Sequence, residues 1–310
     1  MIGSLTNYAI TDRSKKKDKP AVKDEVAGTL FTILPIIGIA IFTFFPLLMA
    51  FYISVCDTTS KTSVGFTDAV FLGFSDLFRN YGEVFTSTQF WDGFRNNIIL
   101  FVELPISIIL SIIIAEFLSK KVRFTNTFKV IMFIPYVCSV VATTYMWNQI
   151  FNTKEAGGLL NNVFNTNVPW LTEGLLWAVM IMGLWSSLGY RILLFTAAIT
   201  NVNGSLKEAA RIDGAGPIKV FLHVTIPAIT PTIFYVLVMG MIGIFQEFTR
   251  INIVSNGYNY CPTMVGFIYR YRDDNAGVAC AASVILALFI FILTRLNFYF
   301  SKKWVTYDVD

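Results

Sequence analysis

Charged side chains inside long apolar runs are the residues of this sequence best suited to chemistry. Glu103, Glu116, Arg191 and Glu247 each interrupt such a run. A charge near the centre of a membrane-spanning helix costs about 2.5–3.5 kcal/mol on insertion scales, so each needs a partner or a function. Glu116 lies near the end of its run, where it can reach water, and we interpret it as structural. The sequence leaves Glu103 and Arg191 undecided between a function and an interhelical contact.

Histidine and cysteine offer little for catalysis or metal binding. The chain has one histidine, His223, and its four cysteines have no metal-like spacing. A metal site or a histidine-based triad needs a cluster of such side chains. We therefore predict no metal site and no catalytic residues, and the sequence contains no G-x-x-x-x-G-K-[ST] loop with which to hydrolyse ATP. Cys56 and Cys261 could still meet on the outer face.

The elements that hold the charged residues are predicted to be membrane-spanning helices. Of the 310 residues, 55% are apolar and 14% are charged, whereas soluble domains carry about a quarter charged residues. A bilayer core requires about 20 apolar residues in a helix. Six segments meet that length: 27–56, 96–119, 130–153, 174–200, 224–246 and 275–294. We predict an all-α membrane protein with its transmembrane domain at 27–304, and a net charge of +4 is too small to indicate nucleic acid.

Lysine and arginine predict the orientation of the helices, because cytoplasmic flanks carry an excess of both. One face collects the basic residues of the N-terminal tail, of the loops after the second and fourth spans, and of the C-terminal end. Both termini are therefore predicted to be cytoplasmic, with tails at 1–26 and 305–310. Outer loops are expected at 57–95, 154–173 and 250–274.

A polar stretch, "EAARIDGAGPIKVFLHVTIP", lies between the fourth and fifth predicted spans. Asn203 and the two residues after it suit a cap before a short helix over 206–213. Gly214 and Gly216 end that helix with permissive backbone, and Pro217 suits the start of a second one. We predict a helix–turn–helix on the cytoplasmic face, a shape suited to insertion into the cleft of a partner protein.

The same stretch resembles the EAA loop of binding-protein-dependent ABC importers, whose pattern is EAA, three residues, Gly, nine residues, Ile, one residue, Leu-Pro. The matching residues here are Glu208, Ala209, Ala210, Gly214, Val224, Ile226 and Pro227. The segments "DGAGP", "NYGEVFTSTQFWDGFRNNIILF", "FKVIMFIPYVCSVVATTYMWNQIF" and "INIVSNGYNYCPTMV" resemble the carbohydrate uptake transporter-1 family. Because the chain ends in "SKKWVTYDVD" rather than in a glycine-rich tail, it is most similar to the maltose-type first permease of that family.

The resemblance implies a type I ABC importer permease fold with six transmembrane helices in a bacterial cell membrane. It also implies a second homologous permease chain, two ATP-binding subunits that hold ATP and Mg, an extracytoplasmic solute-binding protein, surrounding lipid and a sugar substrate. No cofactor is expected in this chain. The coupling loop falls at 203–227, and the residues implied to contact the ATPase are Glu208, Ala209, Ala210, Asp213 and Gly214.

In such permeases the helices on either side of the EAA loop supply the substrate contacts. By position these contacts fall on Trp185, Ser187, Tyr190, Gly240, Ile244 and Glu247. Gly240 and Ile244 share a helical face with Glu247, at i−7 and i−3. A carboxylate can bridge paired sugar hydroxyls, and aromatic faces such as Trp185 and Tyr190 can stack on a sugar ring. A structural hydrogen bond to another span is the alternative for Glu247.

Other functions fit the sequence less well. An ion-coupled secondary transporter predicts inverted repeats and acids near the midplane, and we find no convincing repeat. A membrane-embedded enzyme needs a cluster of His, Cys or carboxylate groups. An ABC permease for glycerol phosphate would favour several inward-facing Arg or Lys residues, and Arg191 is the only candidate. We therefore predict an importer of a neutral sugar, an oligosaccharide, with ATP hydrolysed by separate subunits.

Overall fold

Helices account for most of the chain that the structure describes. The computed structural model describes residues 22–58, 69–120, 124–255 and 263–306. Helix α1, Val22–Ile39, begins inside the predicted N-terminal tail. The rest of that tail and Cys261 lie outside the described residues, so the meeting of Cys261 with Cys56 stays a prediction. The chain divides into two units, Met1–Met49 and Ala50–Asp310.

The helices vary widely in length, from single turns to long apolar rods. After α1 they are α2 Phe45–Ser54, α3 Arg79–Thr86, α4 Thr88–Phe101, α5 Glu103–Ser119, α6 Thr125–Val137, α7 Val140–Phe151, α8 Leu159–Val163, α9 Leu175–Asn201, α10 Gly204–Ile212, α11 Pro217–Val220, α12 Ile226–Ala228, α13 Thr230–Phe245, α14 Thr249–Val254, α15 Met264–Asp274 and α16 Ala276–Ser301. Two π-helical turns are Ala40–Phe44 and Phe221–Thr225. The short strands β1, Cys56–Asp57, and β2, Val70–Phe71, pair antiparallel.

The first unit contains an apolar helix with a local widening. In the π-helical turn Ala40–Phe44, the N–H of Phe45 donates to the carbonyl of Ala40, five residues earlier. Pro46 follows directly, and because proline has no N–H, the carbonyl of Phe42 loses the donor that it would have in a regular α-helix. A π-turn next to the proline is compatible with a helix that continues through it.

In the described ranges, five segments are long and apolar enough to cross a membrane: Thr29–Ser54, Thr88–Ser119, Leu175–Asn201, Thr230–Val254 and Ala276–Ser301. A sixth candidate consists of α6 and α7, which meet at an angle of 95°. The predicted all-α architecture with membrane-spanning helices is confirmed. The second span begins at Thr88 rather than at residue 96, and the fifth runs on past Phe245 through α14.

The third predicted span, 130–153, corresponds to the bent pair α6 and α7 and not to one continuous helix. The break falls at Cys138 and Ser139, between α6 and α7, where the backbone is extended. Pro135, inside the last turn of α6, removes a backbone donor and crowds the preceding turn. A new helix starts at once, because the carbonyl of Ser139 accepts the N–H of Thr143 at 3.0 Å.

The centre of the second unit forms where α5 packs along α9. Ser107, Ser111 and Ala115 of α5 are all buried and stand four residues apart. Small residues at this spacing let helix backbones approach closely, which drives helix association in lipid. Helix α9 also packs on α6. There Gly189 leaves no room for a side chain, since an added Cβ would overlap the carbonyl oxygen of Met132.

Candidate functional site

The loop between α9 and α13 forms the helix–turn–helix that the sequence predicts. The Asn203 side chain accepts the N–H of Ser205 at 3.0 Å. This cap starts α10 at Gly204, slightly before the predicted residue 206. Pro217 occupies the first position of α11, where its missing N–H has no helical partner to lose.

The turn between α10 and α11 depends on Gly214. Its φ is +81°, in the left-handed region that favours glycine. The N–H of Gly214 donates to the carbonyl of Arg211 at 3.0 Å, and the N–H of Ala215 donates to that of Ala210 at 2.9 Å. These two bonds form a Schellman motif, which satisfies the last carbonyls of α10 and needs a left-handed residue at this position.

The residues expected to contact an ATPase subunit lie on the surface of this helix–turn–helix. Glu208, Ala209, Asp213 and Gly214 are exposed, and Ala210 is half-buried. Beside them, Ile212 and Ile218 are 85% and 74% exposed. Large exposed apolar side chains grouped in a polar loop are typical of a contact surface for another protein. The coupling role of the loop remains a prediction.

A cavity of about 270 Å³ lies between α5, α9 and α13. Among its lining residues are Ser187, Tyr190, Gly240, Ile244 and Glu247. The first two project from α9 and the others from α13 or the turn after it. The structure therefore brings together most of the residues that the sequence suggests for substrate contact. Their role in binding remains a prediction.

Trp185 is the suggested substrate residue that does not join this cavity. Its ring packs edge-on against Trp147 of α7, with ring centroids 5.6 Å apart and an interplanar angle of 79°. Residues two positions apart on a helix do not share a face, so Ser187 points into the cavity while Trp185 points elsewhere. The expected stacking of Trp185 on a solute finds no support in this cavity.

Glu103 and Arg191, which the sequence leaves undecided, form a buried ion pair on the cavity wall. Arg191 Nη1 lies 3.8 Å from Glu103 Oε1. The Ser187 hydroxyl links the two, because it accepts from Arg191 at 2.9 Å and donates to Glu103 at 3.3 Å. Arg191 also donates to the Ser107 hydroxyl. This network joins α5 to α9 and gives each buried charge a partner.

A second ion pair lines the cavity beyond the end of α13. The guanidinium of Arg250 donates to Glu247, and the Arg250 backbone N–H also donates to that carboxylate at 3.2 Å. The sequence places Arg250 at the edge of an outer loop and offers Arg191 as the only inward arginine. Arg250 lines the cavity, so Arg191 is not the only arginine on the wall. Arg250 belongs to α14, a new helix that starts after α13 ends at Phe245 and that the predicted span does not include.

Three tyrosines contribute to the same wall. Tyr136 of α6 stacks on Tyr190, with centroids 4.9 Å apart and planes 15° apart. The hydroxyls of Tyr190 and Tyr235 lie 3.3 Å from each other. Sequence reasoning missed Tyr136 and Tyr235. Tyr235 lies five residues before Gly240, off the helical face that groups Gly240 with Ile244 and Glu247, and Tyr136 is brought in only by the packing of α6 on α9.

Glu116 lies away from this cavity. It forms an ion pair with Lys120, one turn later in the chain, at 3.6 Å. That contact agrees with the structural interpretation of Glu116. Within the described ranges, no group of three or more His, Cys, Asp or Glu side chains could hold a metal ion.

Asn97 of α4 holds the segment that carries Glu247. The side chain is fully buried. It donates to the carbonyl of Ile244 at 3.0 Å and accepts the N–H of Met264 at 3.0 Å. The same Ile244 carbonyl accepts the N–H of Glu247 at 3.2 Å. One amide thus joins the end of α13 to the start of α15.

Replacing Asn97 with leucine is expected to destabilise the fold. The change leaves the Ile244 carbonyl and the Met264 N–H without this partner, at about 1–3 kcal/mol for each buried group. Unfolding of the purified chain by SDS in mild detergent measures the effect. Asn162→Leu is the matched control, because Asn162 is exposed and its side chain bonds to the nearby Gly158 carbonyl. Equal stability of the two variants would contradict the bridging role of Asn97.

Comparison with known proteins agrees with this architecture. Residues 107–306 match the family described as binding-protein-dependent transport system inner membrane component. A probable ABC transporter permease protein of Mycoplasma genitalium is 30% identical over 250 residues, which cover 74% of each chain. The lactose transport system permease protein LacF of Rhizobium radiobacter is 28% identical over 297 residues, which cover 90% of this chain and 95% of LacF.

A solved structure has the same fold. It is a bacterial alginate ABC transporter in complex with an alginate pentasaccharide-bound periplasmic protein. Its matching chain has a TM-score of 0.70 at 20% identity, and the match covers 93% of this chain and 98% of that chain. The predicted type I ABC importer permease fold and the membrane location are thereby confirmed. The chain belongs to the family of binding-protein-dependent transport system inner membrane components, the permeases of ABC importers.

Proposed function

We propose that the chain is one of two permease subunits of an ATP-driven importer that carries a neutral oligosaccharide into the cytoplasm by alternating access. The observation that carries this proposal is the cavity, in which Ser187 and Tyr190 meet the Glu103–Arg191 and Glu247–Arg250 ion pairs. A lactose permease among the relatives supports the same substrate class. The importer would receive its sugar from an extracytoplasmic binding protein.

The chemistry of the cavity wall suits a sugar. Carboxylate, guanidinium and hydroxyl groups supply acceptors and donors for hydroxyl groups. The rings of Tyr136, Tyr190 and Tyr235 supply apolar area with a polar end. Because each arginine on the wall faces a carboxylate, the wall offers no uncompensated positive charge to a phosphate. Glycerol phosphate is therefore the weaker alternative, although Arg250 adds a second arginine to the one that the sequence suggests.

The exposed helix–turn–helix suits the coupling role in this proposal. Two ATP-binding subunits would bind ATP and Mg, and each permease would insert one such loop into a subunit. In this chain Glu208 would act as the polar anchor, Ala209 and Ala210 as the closely packed face, and Gly214 as the turn. This arrangement requires the loop and both termini to be cytoplasmic.

Purification and transport together test the proposal. An affinity-tagged copy of the chain, extracted in mild detergent, is expected to bring with it a second permease and an ATP-binding subunit, which mass spectrometry identifies. In proteoliposomes with ATP inside and the binding protein outside, the complex is expected to accumulate a neutral sugar from a panel that includes lactose, maltose and raffinose. Accumulation of sn-glycerol 3-phosphate alone, or accumulation that needs an ion gradient instead of ATP, would overturn the proposal.

A further inference from the structure

The Glu103–Arg191 ion pair is buried, yet it is not sealed off from the cavity. Both residues are among those that line it. Two glycines of the cavity wall lie against the pair. A Cβ at Gly183 would overlap the Glu103 carboxylate, with the carboxyl carbon only 3.0 Å away, and a Cβ at Gly240 would lie 3.4 Å from Arg191 Nη2. Glycine at 183 thus lets the Glu103 carboxylate lie directly against the α9 backbone, and glycine at 240 makes room for the Leu104 side chain, which a Cβ there would overlap, beside Arg191 Nη2.

The pair uses one atom of each charged group for its internal contacts. Glu103 Oε1 meets Arg191 and accepts from Ser187, and Arg191 Nη1 donates to Ser107 and Ser187. The second atoms, Glu103 Oε2 and Arg191 Nη2, adjoin Gly183 and Gly240. Both glycines line the cavity. The contacts named above thus leave one acceptor atom, Glu103 Oε2, and one donor atom, Arg191 Nη2, on two residues that line the cavity.

Packing alone does not account for these charges. A buried ion pair is often replaced by well-packed apolar residues of similar volume without loss of stability, so such a pair is weak evidence for a purely structural role. Around this pair, Leu104 and Ile108 of α5 and Ile192 and Phe195 of α9 are already buried. The interface between these helices has apolar packing and small residues that would hold it together without charges.

We propose that the Glu103–Arg191 pair is a specificity-determining site that binds two neighbouring hydroxyls of the transported sugar. One hydroxyl donates to Glu103 Oε2, and the adjacent hydroxyl accepts from Arg191 Nη2. Bonds to charged groups are stronger than neutral ones, and a site built for them rejects a solute that lacks a matching hydroxyl. The net charge of the pair is zero, so it selects a diol rather than an anion. This inference rests on the proposed sugar-import function.

The double variant Glu103→Leu with Arg191→Met separates this role from a structural one. It removes both charges together and leaves neither unpaired in the apolar interior. The complex, with its partner chains and binding protein, is tested in proteoliposomes on the sugar of the panel that the wild type imports fastest and on the monodeoxy derivatives of that sugar. The binding protein is the same throughout, so its own selectivity cancels between variants.

The expected result is a large loss of import of the parent sugar together with a loss of discrimination. For at least one monodeoxy derivative, the rate ratio of parent to derivative is expected to fall roughly ten-fold or more in the double variant. Glu116→Gln is the matched control, a carboxylate on the same helix α5 that pairs with Lys120 away from the cavity, and its ratio should equal that of the wild type.

A double variant that imports the parent sugar at the wild-type rate, with unchanged discrimination, would overturn the inference. If the double variant does not assemble, the same test is made with Glu103→Asp, which keeps the charge but withdraws it by one methylene. An unchanged rate ratio of parent sugar to monodeoxy derivative in Glu103→Asp would also overturn the inference. A wild-type complex that imports no sugar of the panel would instead overturn the proposed function itself. The two failures are thus distinguishable.

Discussion

A Gly214→Val chain is expected to insert and assemble normally but to import no solute. Gly214 holds φ at +81°, and the Schellman bonds that end α10 depend on that geometry. Left-handed backbone costs an L-residue roughly 1–2 kcal/mol of conformational energy, and the cost is higher for a β-branched side chain such as that of valine. Because Gly214 is exposed, the strain changes the shape of the coupling loop rather than the helices in the membrane.

Gly216→Val is the matched control for this experiment. Gly216 has φ of −69° in extended backbone, which valine adopts readily, and an added Cβ would meet nothing within 4 Å. Both variants are compared with the wild type for ATP-driven import, for the amount of chain in the membrane, and for recovery of the second permease. Normal import by Gly214→Val, or an equal loss of import in both variants, would contradict the role assigned to the left-handed backbone at Gly214.

Substitution of Gly189 by alanine is expected to destabilise the fold strongly. The added Cβ would overlap the Met132 carbonyl oxygen and lie 2.8 Å from the Met132 carbonyl carbon and 2.9 Å from Phe133 Cα. These are backbone atoms of α6, so no side-chain rotation relieves the contact. Overpacking of this kind costs about 1–3 kcal/mol, and we expect the upper end of that range.

SDS unfolding of the detergent-solubilised chain measures this effect. Gly82→Ala serves as control, since an added Cβ there meets nothing within 4 Å and Gly82 lies in helix α3. Alanine at such a position is expected to stabilise by about 0.5–1 kcal/mol. The free energy of unfolding is therefore expected to fall in Gly189→Ala and to rise in Gly82→Ala. A Gly189→Ala chain as stable as the wild type would show that α9 does not pack closely on α6.

Much of the fold follows from local sequence. The apolar runs around α5, α9, α13 and α16 are long enough to identify the spans without any knowledge of their contacts. The helix–turn–helix is equally local, because Asn203, Gly214 and Pro217 each act on the backbone within a few residues. The 95° break between α6 and α7 is harder to predict from the sequence, since membrane helices commonly continue through a proline such as Pro135. Whether they do so depends on neighbouring helices that the pattern does not show.

The residues of the cavity likewise include some that local sequence predicts and some that it does not. Gly240, Ile244 and Glu247 could be grouped by helical period alone, and that grouping holds although α13 ends at Phe245. Tyr136 could not be grouped with them, because it comes from α6 and reaches the wall only through long-range packing. The pairing of Glu103 with Arg191 also joins distant parts of the chain. A charge in an apolar run indicates that a partner is needed, but not which residue supplies it.

The pairing of charges on the cavity wall bears on the electrical work of transport. Among the described lining residues the formal charges are those of Glu103, Arg191, Glu247 and Arg250, and they sum to zero. Moving one net charge through a membrane potential involves about 2.3 kcal/mol per 100 mV. In the proposed alternating cycle, a wall of zero net charge that holds a neutral sugar would reorient without such a term. The membrane voltage would then neither drive nor oppose this step, and accumulation of the sugar would depend on ATP hydrolysis.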